Sequence, residues 1–166
     1  MSRPMALFLT LVFNLIVPGT FAVYLPYLLT HWRLEPPLLG LEGVRWLGGA
    51  MIVAGVAVVL EAQGRFVWNG LGTPAPIAPP QKLVVQGFYR FVRNPMYVAV
   101  VALTLGQGLL FASPAMLAYA AILLVGFHLF VRLYEEPTLG KKFPADYPEF
   151  VANVPRWLPR LSPWKG

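Results

Sequence analysis

Residues 94–131 read NPMYVAVVALTLGQGLLFASPAMLAYAAILLVGFHLFV, which is 38 residues without one Asp, Glu, Lys or Arg. At a rise of about 1.5 Å per residue, a single helix of this length would be nearly twice as long as the hydrocarbon core of a bilayer is thick. The segment must therefore fold back, and Ser113-Pro114 is the natural break. We predict a tight hairpin of two membrane helices, residues 95–111 and 114–131.

The composition of the whole chain also indicates a membrane protein. Of its 166 residues, 57% are hydrophobic and 12% are charged, whereas about a quarter of the residues of a soluble globule would be charged. Residues 5–29 carry no charge and are too long for the apolar core of a signal peptide, so we predict a retained first membrane helix, kinked at Pro18-Gly19. Residues 44–62 form the second predicted span, whose small residues allow close helix packing.

Polar residues within these two spans have simple expected roles. Asn14 is expected to hydrogen-bond a neighbouring helix or a freed carbonyl. Glu61, at the end of the second span, is expected to be part of a solvated helix end. The alternative is that it approaches a cofactor at the inner, cytoplasmic edge of the helices. The proline-rich residues 73–80 cannot form a helix, and they are interpreted as an extended linker or as a flap over a ligand.

The positive charges orient the four predicted spans. Of the 13 Lys and Arg residues, all but Arg33 and Arg45 fall on the side that holds both termini. We therefore predict a multi-pass protein of the inner (plasma) membrane with both termini in the cytoplasm. Orientation and anionic lipid then explain the net charge of +6 without nucleic acid. Since the chain has no cysteine, thiolate metal sites are excluded, and no metal site is predicted.

The predicted organisation is a single all-α membrane domain over residues 1–166. Residues 1–62 would be supporting helices, and residues 81–166 would form the core of the site. The C-terminal part is expected to lie on the cytoplasmic membrane surface as a short amphipathic segment. There, residues 141–151 are predicted to form one helix with Phe143, Tyr147, Phe150 and Val151 on one side, followed by an extended finish over residues 154–161.

Polar residues are dense at both ends of the charge-free hairpin. Before it, Arg90 and Arg93 can hold a carboxylate or phosphate, or simply mark the interface. After it, His128, Arg132 and one of the glutamates Glu135 and Glu136 fall near one helical face. Two acidic residues at a helix C-terminus oppose the helix dipole, so a cationic ligand would compensate them. The two ends of the hairpin should meet at one water-facing edge of the bundle, and this edge is therefore a candidate site for a charged cofactor.

Four motifs in this region occur in a recognisable order. They are Gly87-Phe88-Tyr89-Arg90 with Arg93-Asn94-Pro95-Met96-Tyr97, then Gly106-Gln107-Gly108, then Glu135-Glu136-Pro137-Thr138-Leu139, then Val154-Pro155-Arg156. In this combination the chain, from residue 81 onward, resembles the isoprenylcysteine carboxyl methyltransferase and phospholipid methyltransferase superfamily of integral membrane enzymes. By itself, the Gly-x-Gly motif favours close helix packing over contact with a ligand.

The resemblance implies methyl transfer from S-adenosylmethionine, bound on the cytoplasmic side, to a lipophilic acceptor from the bilayer. The acceptor would be an isoprenylcysteine-like carboxylate or a phospholipid amine, with membrane lipid as the surrounding partner. The residues expected to contact the cofactor are Tyr89, Arg90, Pro95, Tyr97, Gly106, Gly108, His128, Glu135 and Glu136. The residues expected to take part in catalysis are Arg93, Asn94, Glu136 and Arg156.

Two positions depart from the family pattern: Asn94, where the family commonly has His, and Phe143-Pro144, where a Phe-Gly pair is usual and a different loop is therefore expected. An amide keeps a hydrogen bond but cannot exchange a proton near neutral pH. Two other functions stay open on the sequence. A related sterol-reductase class has a similar hairpin and uses a nicotinamide cofactor, although this chain is short for the extra helices of that class. A non-catalytic membrane scaffold is the other alternative, and the oligomeric state is left open.

Overall fold

The structure, a computed structural model, describes residues 3–65, 68 and 82–165. Across these residues the ordered segments are helical and there is no strand, which confirms the predicted all-α class. The proline-rich residues 73–80, interpreted above as a linker or flap, lie outside the described residues. The helices are α1 (Arg3–Gly19), α2 (Leu25–Thr30), α3 (Glu42–Arg65), α4 (Pro95–Leu110), α5 (Pro114–Phe130), α6 (Glu136–Lys142) and α7 (Tyr147–Asn153).

Three helical segments of the described chain are long and apolar enough to cross a membrane. These are Leu7–Thr30, Glu42–Arg65 and Pro114–Lys142, and Pro95–Leu110 is a shorter apolar helix. The second segment is longer than the predicted residues 44–62. Its extension at the C-terminal end places Glu61 inside a helix rather than at its end. With this composition and these helices, the chain is a membrane protein.

The predicted helical hairpin of α4 and α5 is confirmed, and the bounds of both helices lie within one residue of those expected. That the shorter α4 crosses the membrane stays a prediction. Pro114 occupies the start of α5, where its missing N–H costs nothing. Ser113 caps the helix by accepting a hydrogen bond from the backbone N–H of Met116 at 3.3 Å. Ala112 has a positive φ of 52°, which completes the reversal of the chain.

Helices α3 and α4 pack antiparallel through small residues. A Cβ atom built on Gly48 would lie 2.6 Å from the carbonyl oxygen of Gly106, and one built on Gly55 would lie 2.8 Å from that of Ala99. Real side chains do not approach backbone this closely, so glycine is required at both positions. Gly108 packs against the other neighbour, because its added Cβ would lie 2.5 Å from Leu117 of α5. Helix α4 is therefore held between α3 and α5.

A one-turn π-helix, Thr20–Tyr24, joins α1 to α2, directly after the predicted kink at Pro18-Gly19. Pro26 has no N–H to donate to the preceding turn, so carbonyls there need other donors. Gln107 Nε2 donates to the carbonyl of Ala22 at 2.9 Å, and the hydroxyl of Tyr119 donates to that of Phe21 at 2.8 Å. The irregular turn is thereby tied to α4 and α5.

The expected role of Asn14 is confirmed, because it pairs with the neighbouring helix α3. Its Nδ2 donates to Gln63 Oε1 at 2.8 Å, and Gln63 Nε2 donates back to Asn14 Oδ1 at 2.6 Å. Two amides that satisfy each other in this way join helices without leaving a polar group unpaired in an apolar surrounding. The first helix is thus fixed to the rest of the bundle at two levels.

The prediction of one helix over residues 141–151 is wrong. The chain leaves the helical conformation at Phe143, where φ is −126° and ψ is 61°, and a second short helix starts at Tyr147. Pro144 and Pro148 remove donors that a continuous helix would need. Tyr147 and Phe150 are buried as expected of one face, but Val151 is exposed. The segment therefore folds against the bundle instead of presenting a single amphipathic face.

The glycine contact between α3 and α4 generates a prediction. Gly48→Ala should lower the free energy of unfolding by about 1–3 kcal/mol, because the new methyl group forces two backbones apart. Gly49→Ala is the control, since a Cβ there meets no atom within 4 Å. It should leave stability unchanged or raise it slightly. Unfolding of both variants in the same detergent is the measurement, and an equal loss in both would contradict the packing.

Candidate active site

The carboxylate of Glu136 is held by two arginines from distant parts of the chain. Arg156 binds it through both oxygens, with Nε at 2.7 Å and Nη2 at 2.9 Å. Arg93 Nη1 lies 3.0 Å from Oε1 of the same carboxylate, and its side chain is only 9% exposed. The hydrogen bond to Glu136 raises the pKa of Arg156, which keeps this arginine charged. Such two-point, charge-assisted contacts are among the stronger polar interactions in proteins.

The two glutamates do not lie at a helix C-terminus, so the helix-dipole argument for a cationic ligand was wrong. After α5 ends at Phe130, the chain makes one π-helical turn, Val131–Glu135, and continues directly into α6. Arg93 and Arg156, rather than a ligand, compensate the charge of Glu136. Of the two glutamates, only Glu136 thus has positive charge beside it, and the protein itself supplies that charge.

Glu135 is in a different environment from its neighbour. The hydroxyl of Tyr97 donates a hydrogen bond to Glu135 Oε2 at 2.9 Å. The Tyr97 ring packs against Phe127 with 4.8 Å between ring centroids. Within the described ranges, no basic nitrogen forms an ion pair with Glu135. Glu135 is thus a partly buried carboxylate that is held only by a neutral tyrosine. The part of the bundle surface formed by Glu135 and Tyr97 is called the carboxylate edge below.

Tyr89 belongs to a small cluster that includes the sequence neighbours of Glu61 and of Tyr97. Its ring is buried against Ala62, Val84 and Met96. Burial, followed by the negative charges of Glu135 and Glu61, raises the pKa of Tyr89 well above its usual value. The phenol is therefore neutral at this edge.

Asn94 is buried and ties the C-terminal tail to the start of α4. Its Nδ2 donates to the carbonyl oxygen of Arg156 at 3.2 Å. Pro95, also buried, is the first residue of α4. The structure thus brings the four predicted catalytic residues, Arg93, Asn94, Glu136 and Arg156, into one network. Tyr147 adjoins it, and burial together with the charge of Glu136 raises the pKa of that phenol.

The tail beyond α7 runs alongside residues 90–93 and is fixed by backbone hydrogen bonds. The N–H of Arg93 donates to Pro155 O, that of Arg160 to Phe91 O and that of Trp164 to Arg90 O, each at 2.9 Å. The Nε of Arg90 returns a bond to the carbonyl of Trp164 at 2.5 Å. The predicted cofactor residue Arg90 is therefore partly engaged by the tail.

The remaining predicted cofactor residues lie elsewhere. His128 Nδ1 accepts a hydrogen bond from the indole N–H of Trp157 at 3.1 Å, so this histidine is engaged by the tail. Gly106 and Gly108 lie in the helix interfaces described above. At about 1.5 Å per residue, they are about 14 Å and about 17 Å along α4 from Tyr97. The structure does not bring these glycines to the carboxylate edge.

The preferred sequence prediction for Glu61, a solvated helix end, is wrong. Instead of a solvated helix end, its side chain is 29% exposed and pairs with Arg65 at 2.8 Å. The backbone of Gly87, which has a positive φ of 56°, passes directly over this carboxylate. The signal available in the sequence was an isolated acidic residue near the end of an apolar helix, together with a glycine in the first motif.

The network around Glu136 generates a prediction for Arg156. Arg156→Lys keeps the charge but loses the two-point contact, so the free energy of unfolding should fall by about 1–3 kcal/mol. Arg132→Lys, the same change at an exposed neighbour, is the control and should have little effect. Thermal unfolding of the purified variants tests this, and equal stability of all three proteins would show that the contact contributes nothing.

Comparison with known proteins places the chain in a family. Over 122 residues it is 32% identical to the cobalt-zinc-cadmium resistance protein CzcN of Cupriavidus metallidurans, a match that covers 73% of this chain and 55% of that protein. The chain thus spans about half the length of this relative. No solved structure matches. The model of the phospholipid methyltransferase family matches residues 44–146, from the start of α3 to the segment before α7. The chain therefore belongs to the phospholipid methyltransferase family.

Proposed function

We propose that this protein transfers a methyl group from S-adenosylmethionine to a lipophilic acceptor that reaches the site from the bilayer. Family membership supports methyl transfer in a membrane, and methyltransferases of this family generally use this cofactor. The observation that carries the proposal is the carboxylate of Glu135, which is partly buried, oriented by Tyr97 and not paired with a cation in the described part of the chain.

The charges of the residues at the carboxylate edge complement those of the cofactor. The cofactor carries a sulfonium and an ammonium group, and a carboxylate in a partly desolvated position favours a cation more strongly than one in water does. Glu136 cannot supply that charge, because two arginines already bind it. Arg93 and Arg156 together carry one positive charge more than Glu136 neutralises. That surplus suits an anionic group of the cofactor or the acceptor.

The protein's part in the reaction is alignment and exclusion of water. The cofactor, when bound, supplies an electrophilic methyl group on sulfur. Glu135, oriented by the hydroxyl of Tyr97, would hold the cationic part in place beside the buried Tyr89. An acceptor carboxylate would need no general base from the protein, because it has a free lone pair and no proton to lose.

Asn94 supports an acceptor that needs no general base at this position. Its amide is committed to the tail carbonyl and does not accept a proton. An isoprenylcysteine-like carboxylate meets this condition directly, whereas a phospholipid amine must lose a proton to another group before it attacks. Both remain within the proposed acceptor class, and transfer of labelled methyl groups to each type of lipid in reconstituted vesicles distinguishes them.

The proposed setting is the inner (plasma) membrane, crossed four times, with both termini and the carboxylate edge in the cytoplasm. At about 1.5 Å per residue, the 16 residues of α4 span about 24 Å. This is shorter than the hydrocarbon core, and α3 and α5 flank the helix on two sides. The division into supporting residues 1–62 and a site core of residues 81–166 stays a prediction.

The first test of the function is calorimetric titration of the detergent-purified protein with S-adenosylmethionine and with S-adenosylhomocysteine, which lacks the sulfonium charge. Glu135→Gln should weaken S-adenosylmethionine binding at least about tenfold and weaken S-adenosylhomocysteine binding less, because a charge-assisted contact is lost. Glu149→Gln, at an exposed position of α7, should change neither.

The outcomes of this titration separate the interpretations. Failure of the folded wild-type protein to bind either ligand would refute the proposed function. An equal loss of both ligands in the Glu135→Gln variant would mean that Glu135 supports the fold instead of the sulfonium. Tyr97→Phe provides a second variant, and it should weaken binding in the same ligand order because the carboxylate loses its orienting hydrogen bond.

The proposed topology predicts the accessibility of introduced cysteines, which is easily measured because the native chain has none. Lys82→Cys and Lys142→Cys, both at exposed positions, should react with an impermeant maleimide from the cytoplasmic side. Leu39→Cys, which is 90% exposed in the first loop, should react from the opposite side. Labelling of positions 82 and 142 from opposite sides would exclude the four-span arrangement.

A further inference from the structure

A cleft of about 740 Å³ lies beside the last turns of α3, next to the carboxylate edge but lined by other residues. Its charged lining consists of Glu61 and Arg65 from α3 and Arg90 from the turn before α4. Phe88 and Phe91 supply apolar surface. The cleft therefore combines one carboxylate, two guanidinium groups and aromatic walls.

The carboxylate of Glu61 is only half satisfied. Its Oε1 accepts a hydrogen bond from Arg65 Nε at 2.8 Å. Its Oε2 is buried and has no hydrogen-bond partner in the described part of the chain. A buried polar atom without a partner costs free energy, so one that persists calls for an explanation such as a ligand.

The backbone is shaped around this carboxylate. A Cβ atom at Gly87 would lie 2.1 Å from Oε1 and 2.9 Å from Oε2 of Glu61, so any side chain there would displace the carboxylate. The positive φ of Gly87, 56°, is one that glycine adopts without strain. The close approach shows that the position of Glu61 is built into the fold of the first motif.

Two guanidinium groups complete the cleft. Arg65 uses its Nε for Glu61, and Arg90 uses its Nε for the carbonyl of Trp164. Each guanidinium has two further terminal nitrogens with which to hold an anion. An acceptor for an ammonium group and donors for a carboxylate or phosphate thus share one cleft, which is the complement of a zwitterion.

We propose that this cleft binds the amino-acid end of S-adenosylmethionine, with Glu61 accepting from the ammonium group and Arg65 and Arg90 pairing with the carboxylate. The proposal rests on the function proposed above. Tyr89 connects the two places, because it lies in one cluster with Ala62, which follows Glu61, and with Met96, which precedes the Tyr97 that binds Glu135. The sulfonium end then lies toward Glu135. An ethanolamine phospholipid headgroup has the same pair of charges, and the experiment distinguishes the two sources.

The experiment compares two ligands that differ by the amino-acid end alone. S-adenosylhomocysteine carries it, whereas 5′-methylthioadenosine does not. Calorimetric titration of Glu61→Gln should show at least about a tenfold loss of S-adenosylhomocysteine affinity and no change for 5′-methylthioadenosine. Glu42→Gln, the same substitution at the opposite end of α3, where the side chain is 64% exposed, is the matched control and should change neither affinity.

A second variant tests the anionic half of the site. Arg65→Gln should weaken S-adenosylhomocysteine binding but not that of decarboxylated S-adenosylmethionine, which keeps the ammonium group and lacks the carboxylate. This variant also keeps the proposal open to refutation if Glu61→Gln does not fold. Soluble phosphoethanolamine, added as a competitor, should not displace S-adenosylhomocysteine from the wild-type protein.

Each contrary result overturns the assignment. An equal effect of Glu61→Gln on both nucleosides, or no effect on either, means that the carboxylate does not contact the amino-acid end. Displacement by phosphoethanolamine would assign the cleft to a lipid headgroup. If the wild-type protein binds neither nucleoside, the methyltransferase proposal fails as well. Loss of binding in Glu135→Gln but not in Glu61→Gln would refute this inference alone.

Discussion

The pairing of Glu136 with Arg93 and Arg156 is the contact on which the site depends. It joins the entrance to the hairpin, the start of α6 and the tail, three segments that are far apart in the sequence. Burying ions is costly unless each one finds a partner, so the two arginines and the carboxylate stabilise one another only when all three segments are in place. Asn94 and the backbone bonds of Arg93 then determine where the tail runs.

The contacts between the apolar helices meet the requirements of an apolar solvent, in which every backbone polar group needs a partner. Gly48, Gly55 and Gly106 let α3 and α4 approach until backbone meets backbone. Gln107 satisfies the carbonyl that Pro26 leaves without a donor. Residues of the central Gly-Gln-Gly motif therefore hold helices together in this structure. The polar side chains of the candidate site lie near the N-terminal end of α4.

The hairpin was predictable because a charge-free stretch of this length and one Ser-Pro break leave few alternatives. The carboxylate edge was predictable in its residue types but not in its pairings. Adjacent residues Glu135 and Glu136 give no sign that one binds Tyr97 and the other two arginines, since those partners are set by tertiary contacts. The break at Phe143 was missed because the apolar spacing on either side is compatible with one helix. For Glu61, the sequence left a solvated helix end and an approach to a cofactor both open, because its neighbour Gly87 comes from another segment.

The different fates of Glu135 and Glu136 have a chemical consequence. Two carboxylates side by side repel each other, and each disfavours ionisation of the other. Neutralising Glu136 with arginines lowers that repulsion without placing a cation on Glu135. A site that binds a cationic ligand needs such a carboxylate, because an acidic group already paired within the protein would have to lose its partner first. Glu135 is the last residue of the π-helical turn, and Glu136 is the first residue of α6. The two adjacent carboxylates thus have different roles: Glu136 binds arginines, and Glu135 stays available to a cationic ligand.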